Sequence, residues 1–256
     1  MYRKYLPWHI DRKQRVVALK NPSEDLPLDE KIVLLTWNVH KNNHAIVWLE
    51  DFAKILHRYR PDLILFQEYQ TMNRMSVLDR HHEYGYGFFP NIIWREKHFG
   101  LINASRSSIV RYDYYTTDEV EPIIKTPKMM LETVYRMVTG AFLRVVNVHM
   151  INFVKIEKFI AQMAQIERVL AKDDEALILS GDFNTWNKKR MTMLMQITQR
   201  YGLEDVKFRN NEHRKKPFPY PLDHVFYRGL SLQKAEVLSG IDSSDHKPLL
   251  TTFTAK

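Results

Sequence analysis

The nine residues ILSGDFNTW, Ile178 to Trp186, start as a buried strand and then end in Gly181, Asp182, Phe183 and Asn184. A carboxylate and an amide two residues apart can orient a water molecule or help hold a cation. The arrangement recurs along the chain. The run Ile32–Leu35 leads to Trp37 and Asn38, Leu63–Phe66 leads to Gln67 and Glu68, and Val145 and Val146 lead through Asn147 to His149. Near the C-terminus, Asp223 opens the apolar HVFY, and SSDHKPLL sets Asp245 and His246 directly before the last apolar run. A core strand thus delivers Asn, Glu, His or Asp at one of its ends, where a rigid scaffold can present such groups to one crevice. A lone Asp or Asn after a strand is ordinarily a turn residue. Six such endings in order require that explanation six times.

Carboxylates with an amide suit a hard divalent cation. Mg²⁺ prefers oxygen ligands, takes one or two carboxylates and keeps several waters. Zinc ranks below it, because carboxylates outnumber histidines and no H-x₃-H pair occurs. A histidine beside a carboxylate suits acid–base work or the stabilisation of a developing anion. Cation, carboxylates, amide and imidazoles together point to phosphoester hydrolysis.

The elements that position these groups are legible in outline. KIVLLTWNVH and DLILFQEYQ read as strands buried on both faces, and AIVWLEDFAKILHRYRP between them as a helix. The helical spacing there is carried by Ile46, Leu49, Phe52, Ala53 and Leu56, with Pro61 as the stop. HHEYGYGFFPNIIWREKHFG reads as short strands and exposed loops. LINASRSSIVRYDYY and MLETVYRMVTGAFLRVVNVHMINF read as antiparallel β, the second with a Thr139-Gly140 turn. FVKIEKFIAQMAQIERVLAK is an amphipathic helix whose apolar face is Ile156, Phe159, Ile160, Met163, Ile166, Val169 and Leu170. EALILS is a further buried strand, and NKKRMTMLMQITQRYG is a helix capped by Asn187 and closed at Gly202. PLDHVFYRGL and PLLTTFTAK close the chain as strands. The class is α/β or α+β with a substantial sheet.

The 256 residues, 45% hydrophobic and 27% charged, show no linker and no repeat, so one large domain is expected over residues 30–256. Residues 1–29, with Pro7, Pro22 and Pro27 among mixed charges, read as an arm over the fold or a partly disordered one. The net charge of +8 and a pI near 9.4 favour anionic partners: nucleic acid, an acidic lipid surface or a phosphorylated small molecule. The absence of cysteine excludes disulfides, thiolate metal sites and cysteine nucleophiles. No apolar run is long enough for a membrane helix, and MYRKYLPWHIDRKQR lacks a signal-peptide core, so a cytoplasmic location is expected. No obligate protein partner is evident.

The segments TWNVH, FQE, VNVH, SGDFN, LDHVF and SDHKP occur in the order seen in the endonuclease/exonuclease/phosphatase superfamily, whose type member is DNase I. The chain resembles that superfamily from about Lys31 to Phe253. Within it, NVHMINF, GDFNTWNKKRM, PLDHVFYRGL and SDHKPLL look like the bacterial YafD-like proteins. The resemblance implies a four-layer αββα sandwich with two central mixed sheets. It implies that Asp182 and Asn184 hold the attacking water, and that Glu68 is the principal Mg²⁺ ligand with Asn38 and Asp245 completing or supporting the site. Mn²⁺ would substitute. His246 would stand over the phosphate with Asp223 orienting its ring, and His149 would contact the phosphate or the leaving group.

His149 stands where abasic-site endonucleases carry Tyr, which favours the DNase-like, sphingomyelinase and inositol-polyphosphate phosphatase branches. Asp223-His224 and Thr185-Trp186 depart from the inositol-phosphatase pattern of Asp-Arg and Tyr-Arg. DNase-like members also back this histidine with a carboxylate from a mid-chain strand. Here FGLINASRSSIVR offers Ser and Arg106, with Glu96 only upstream.

Nucleic acid is the leading substrate class. Lys188, Lys189 and Arg190 follow the Asp182/Asn184 loop and RNNEHRKKP precedes Asp223, so both clusters are expected to grip phosphates without reading sequence, as is Arg106. The alternative is a phospholipid or small-molecule phosphodiester, with HEYGYGFFPNIIW as an aromatic loop dipping into a membrane interface. A third reading is a degenerate member that only binds; the complete set of Asn38, Glu68, Asp182, Asn184, Asp223, Asp245 and His246 argues against it.

Overall fold

Strand β2 (Lys31–Asn38) sends Ile32 and Leu34 to one side and Leu35 and Trp37 to the other, and all four are buried. A strand covered on both faces reads as a continuous apolar run and must lie inside a layered structure. The computed structural model describes residues 18–73, 75–120, 127–152, 154–173 and 175–256, without the side chains of residues 117–120 and 127. The chain runs β1 (Ala18–Lys20), β2, α1 (Ile46–Tyr59), β3 (Leu63–Met72), β4 (Gly85–Trp94), β5 (Lys97–Ser105), β6 (Arg111–Val120) and β7 (Pro127–Arg136). It continues with β8 (Phe142–His149), α2 (Ile156–Leu170), β9 (Ala176–Asp182), α3 (Lys188–Arg200), β10 (Glu204–Asp205), β11 (Asp223–Arg228), β12 (Leu230–Val237) and β13 (Leu249–Ala255).

Two mixed sheets result, ordered β1-β4-β5-β3-β2-β13-β12 and β10-β11-β9-β8-β7-β6. Among the described strands only β2–β3 and β8–β9 pair in parallel, each joined by a helical crossover. The sheets face each other over Ile32, Leu34, Leu63, Leu65, Val145, Ile178 and Val225. On the outer side of the first sheet, Trp48, Phe52 and Ile55 of α1 pack on Leu35, Trp37 and Phe66. On the outer side of the second, Phe159, Met163 and Ile166 of α2 and Leu194 of α3 cover Val146, Val148 and Leu179. This is the four-layer sandwich, each buried large side chain contributing about 1.5–3 kcal/mol by leaving water.

Several expectations are corrected. The buried face of α1 is Trp48–Phe52–Ile55, while Ile46, Val47 and Ala53 are exposed, because the indole of Trp48 stacks on Trp37 at 5.4 Å and sets the helix rotation. Ile160 of α2 is likewise exposed. The aromatic stretch before Trp94 is one ten-residue strand, β4, with Tyr86, Phe88 and Phe89 buried. Residues 18–20 pair with β4, and Leu28 is buried between the sheets with its N–H on Arg136 O. Residues 1–17 of the expected arm lie outside the described residues. No helix among the described residues is long and apolar enough to cross a membrane.

Candidate active site

Along the inner faces, the side chains change character toward one end of the sandwich. Each apolar series passes through one buried polar residue, Thr36 on β2, Gln67 on β3, Asn147 on β8 and Ser180 on β9. Two residues further on, Asn38, His149 and Asp182 follow on the same face, since side chains alternate along a strand. Asp223 joins them because β11 pairs antiparallel with β9 in the register Asp223↔Asp182. His246 is brought in just before β13, where Trp37 Nε1 donates to His246 O at 2.8 Å.

Glu68 reaches this end by a different device. By alternation with Ile64 and Phe66 it would face α1. However, Phe66 pairs with Ile102 and Tyr69 with Gly100, so three steps on β3 face two on β5. Glu68 is the residue inserted by this bulge, with φ at 54°, a left-handed conformation uncommon for glutamate. Asn184 also has positive φ, 50°, which Asn tolerates well. Gly181 is required where it stands: its φ is 139°, and a Cβ would lie 2.0 Å from Val148 O on the neighbouring strand.

Asp182 is the centre of the arrangement. Its Oδ1 accepts the Asn184 N–H at 3.0 Å and its Oδ2 accepts Asn38 Nδ2 at 3.0 Å. The same Oδ2 lies 3.8 Å from His149 Nε2 and 3.9 Å from His246 Nε2. Burial raises the Asp182 carboxyl above the ordinary range; the His246 imidazolium opposes that shift and Asp223 reinforces it. His246 donates from Nδ1 to Asp223 Oδ2 at 2.7 Å. Burial works against its charge, but Asp223 and then Asp182 outweigh this and lift its pKa to about 9. His149 goes the other way: burial, and then the Lys128 ammonium, keep it well below the ordinary value of 6.5. The two imidazoles beside Asp182 therefore have opposite charge states at neutral pH.

His149, Asp182, Asn184 and His246 line a cavity of about 410 Å³. Its cationic wall includes Lys41, Lys128 and Lys215, and its apolar wall includes Ile92, Phe99, Met129 and Leu222. Lys41 Nζ is 2.5 Å from Glu68 Oε2, while Lys215 pairs with Asp245, whose Oδ1 is also 3.4 Å from His40 Nδ1. Burial opposes the charge of Glu68, but the His149 ring and the Lys128 and Lys41 ammonium groups hold it well below the carboxylate range. Glu68 and Asp245 both present carboxylates to the cavity, which suits a hard divalent cation that takes one or two of them. Asn38 Oδ1 accepts the His40 N–H at 3.0 Å and its amide donates to Asp182 at 3.0 Å, so Asn38 positions that carboxylate. The closest grouping of carboxylates and imidazole among the described residues is Asp182, Asp223 and His246, with ligand atoms within 4.8 Å of one another. Its acceptors already hold Asn38, Asn184 and the His246 ring.

Four expected phosphate-binding residues are not on the cavity wall. Arg106 lies beyond the opposite end of β3, 3.9 Å from Asp62. Arg190 is buried, donating to Ile151 O, Asn184 O and Val154 O under the ring of Trp186, so it fastens the loops after β8 and β9 together. Lys188 and Lys189 are exposed on the first turn of α3, which Asn187 caps as expected by accepting the Arg190 N–H at 2.9 Å. Within RNNEHRKKP, Lys215 does line the cavity. Lys41 and Lys128 were not anticipated. Lys128 precedes the apolar run MML, the same polar-residue-at-strand-end signal that marked the other positions.

The family model described as endonuclease/exonuclease/phosphatase matches residues 35–246, which contain every site residue named above. A Vibrio campbellii UPF0294 protein is 31% identical over 96% of this chain and 85% of its own length. Among solved structures, an endonuclease/exonuclease/phosphatase from Beutenbergia cavernae superposes with a TM-score of 0.70 at 14% identity, over 88% of this chain and 72% of that one. Danio rerio TDP2 complexed with single strand DNA product superposes at 0.63 and 17% identity, over 88% and 99% of the two chains. With a DNase I-like sandwich whose strand ends carry Glu68, Asp182, Asp223 and His246 inside the matched span, the chain belongs to the endonuclease/exonuclease/phosphatase family.

Proposed function

We propose that this protein is a Mg²⁺-dependent phosphodiester hydrolase acting on nucleic acid with little sequence discrimination. The observation that carries the reading is Asp182 flanked by a cationic and a neutral imidazole at 3.9 and 3.8 Å, on the wall of a cavity lined by lysines. A buried carboxylate with a raised pKa is suited to take a proton near neutral pH. Asp182 accepts a proton from the attacking water as the water oxygen bonds to phosphorus. The ester P–O bond breaks and the departing oxygen takes its proton from bulk water. The His246 imidazolium, held by Asp223, stabilises charge on the phosphoryl oxygens. Asn184 fixes Asp182 through its N–H and adds an amide to the site. Glu68 and Asp245 would hold the Mg²⁺, which supplies neutralisation of the phosphate charge. The lysine-lined wall and the nucleic-acid complex of the similar TDP2 fold support the substrate class.

The test is nicking of supercoiled plasmid, and cleavage of single-stranded DNA and RNA, with Mg²⁺, with EDTA and by Asp182→Asn. Cleavage that requires both Mg²⁺ and Asp182 is expected. Mg²⁺-dependent turnover of a small phosphodiester with no action on any nucleic acid would sink the substrate assignment.

One observation favours phospholipid as a second reading. Met72 and Met75 are 38% and 65% exposed beside half-buried Trp94 at the end of the β4–β5 hairpin, next to the strands that carry the cavity's apolar wall. Cosedimentation with phosphatidylcholine vesicles, lost in Met75→Lys, would move the assignment to lipid.

A further inference from the structure

Lys128 enters the cavity from β7 and is only 7% exposed. Its Nζ lies 3.0 Å from His149 Nε2, reached from the first residues of β7, where the next residue, Met129, pairs with His149. An ammonium group has donors and no acceptor. At this distance His149 Nε2 must therefore be the acceptor, with its lone pair occupied. The nitrogen of His149 that faces the centre cannot at the same time deliver a proton there. The positive charge on this side of Asp182 belongs to Lys128, and the imidazole is its support.

We propose that Lys128 is a catalytic residue of this site, its ammonium contacting a non-bridging oxygen of the scissile phosphate, and that His149 is a positioning residue that aims it. The inference rests on the phosphoester-hydrolase reading of the site. It assigns the two sides of Asp182 to two different cations, the His246 imidazolium and the Lys128 ammonium. The bonds made and broken are those already described, and Lys128 keeps its protons throughout. A buried ammonium is costly unless anions face it, and here a substrate phosphate adds to the field of Glu68 and Asp182.

The experiment compares the full chain with Lys128→Met, Lys128→Arg and His149→Gln in three measurements. The first is turnover of a phosphodiester with Mg²⁺. The second is binding of inorganic phosphate in EDTA by calorimetry. The third is ¹⁵N-histidine NMR at neutral pH. Lys128→Met should lower kcat by about 10²–10³-fold, the usual loss for one preorganised donor, and weaken phosphate binding at least about tenfold. Lys128→Arg should recover part of both. His149→Gln keeps an acceptor for the ammonium and should lose less than Lys128→Met. The NMR spectrum should show a ring whose Nε2 carries no proton. Turnover and phosphate affinity of Lys128→Met within threefold of the parent would overturn the proposal, as would a proton on His149 Nε2. If the parent protein cleaves no phosphodiester, the functional reading fails by itself. The phosphate titration then still decides for or against Lys128 as the anion contact.

Discussion

Gln67 Nε2 donates to Asn147 Oδ1 at 2.7 Å across the interior between the two sheets. Asn147 Nδ2 in turn donates to Phe66 O at 3.1 Å and Ile102 O at 3.2 Å. These bonds tie the end of β8, which carries His149, to the bulge that carries Glu68. Asn147→Leu keeps the branched shape and removes these three buried hydrogen bonds, while Gln67 Nε2 retains Thr36 Oγ1 at 3.3 Å. At about 0.5–1.5 kcal/mol net for each bond, the loss of stability should be on the order of 1.5–4.5 kcal/mol. Equilibrium urea unfolding measures it; a loss under about 0.5 kcal/mol would show that the polar layer does not join the sheets.

Gly181→Ala should destabilise the fold far more than Gly140→Ala. Both have positive φ, 139° and 86°. A methyl at 181 would meet Val148 O at 2.0 Å, whereas nothing lies within 4 Å of one at 140. A left-handed alanine alone costs on the order of 1 kcal/mol, and the clash on β8 adds to it by displacing the strand that carries His149. Melting temperatures of the two variants side by side test this, and equal values would contradict it.

Asp223→Asn should reduce kcat by about 10²–10⁴-fold, because the imidazolium of His246 loses the anion that orients and charges it. Circular dichroism and melting temperature should stay close to the parent, since Asn fills the same space. Retained turnover would remove His246 from the role given to it.

Glu68→Gln tests the metal assignment without relying on turnover. Mn²⁺ binding, followed by calorimetry or by electron paramagnetic resonance, should weaken by at least about tenfold, the scale of losing a ligand or its support. Asn38→Ala should leave Mn²⁺ binding much closer to the parent, since its amide is held by His40 and Asp182. The reverse order would restore Asn38 as a ligand.

His224, next to Asp223 in the chain, offers a pH test of stability. Burial, and then Arg214 with its Nη2 3.4 Å from His224 Nδ1, hold its pKa well below 6.5. The folded protein keeps the ring neutral where the unfolded chain protonates it. Stability from this group is therefore full above about pH 6.5 and falls as pH drops below it, by up to about 1.4 kcal/mol per pH unit. In His224→Gln the slope of unfolding free energy between about pH 6.5 and 5 should shrink by about one proton. An unchanged slope would mean that His224 is already charged in the fold.

The interior of the sandwich could be read from the chain because its central strands are covered on both faces. That burial makes Ile32–Leu35, Leu63–Phe66 and Leu177–Leu179 continuous apolar runs, and the polar groups ending them are conspicuous by contrast. Edge strands β1 and β12 left no such trace, since they are covered on fewer sides and carry exposed residues. The sequence by itself determined which strand ends carry polar and titratable groups and in which order: Asn38, Glu68, His149, Asp182, Asp223, Asp245 and His246. It did not determine what each of them touches. Charge clusters close to the motifs along the chain fell away from the cavity, as Arg190 and Arg106 do, because neighbours along a helix or at opposite ends of a strand point to different places. Lys41, Lys128 and Lys215, far apart in the chain, converge on the cavity through sheet register and loop closure. The same convergence made His149 neutral and His246 cationic, a difference set by which charge stands beside each ring and so by tertiary structure alone.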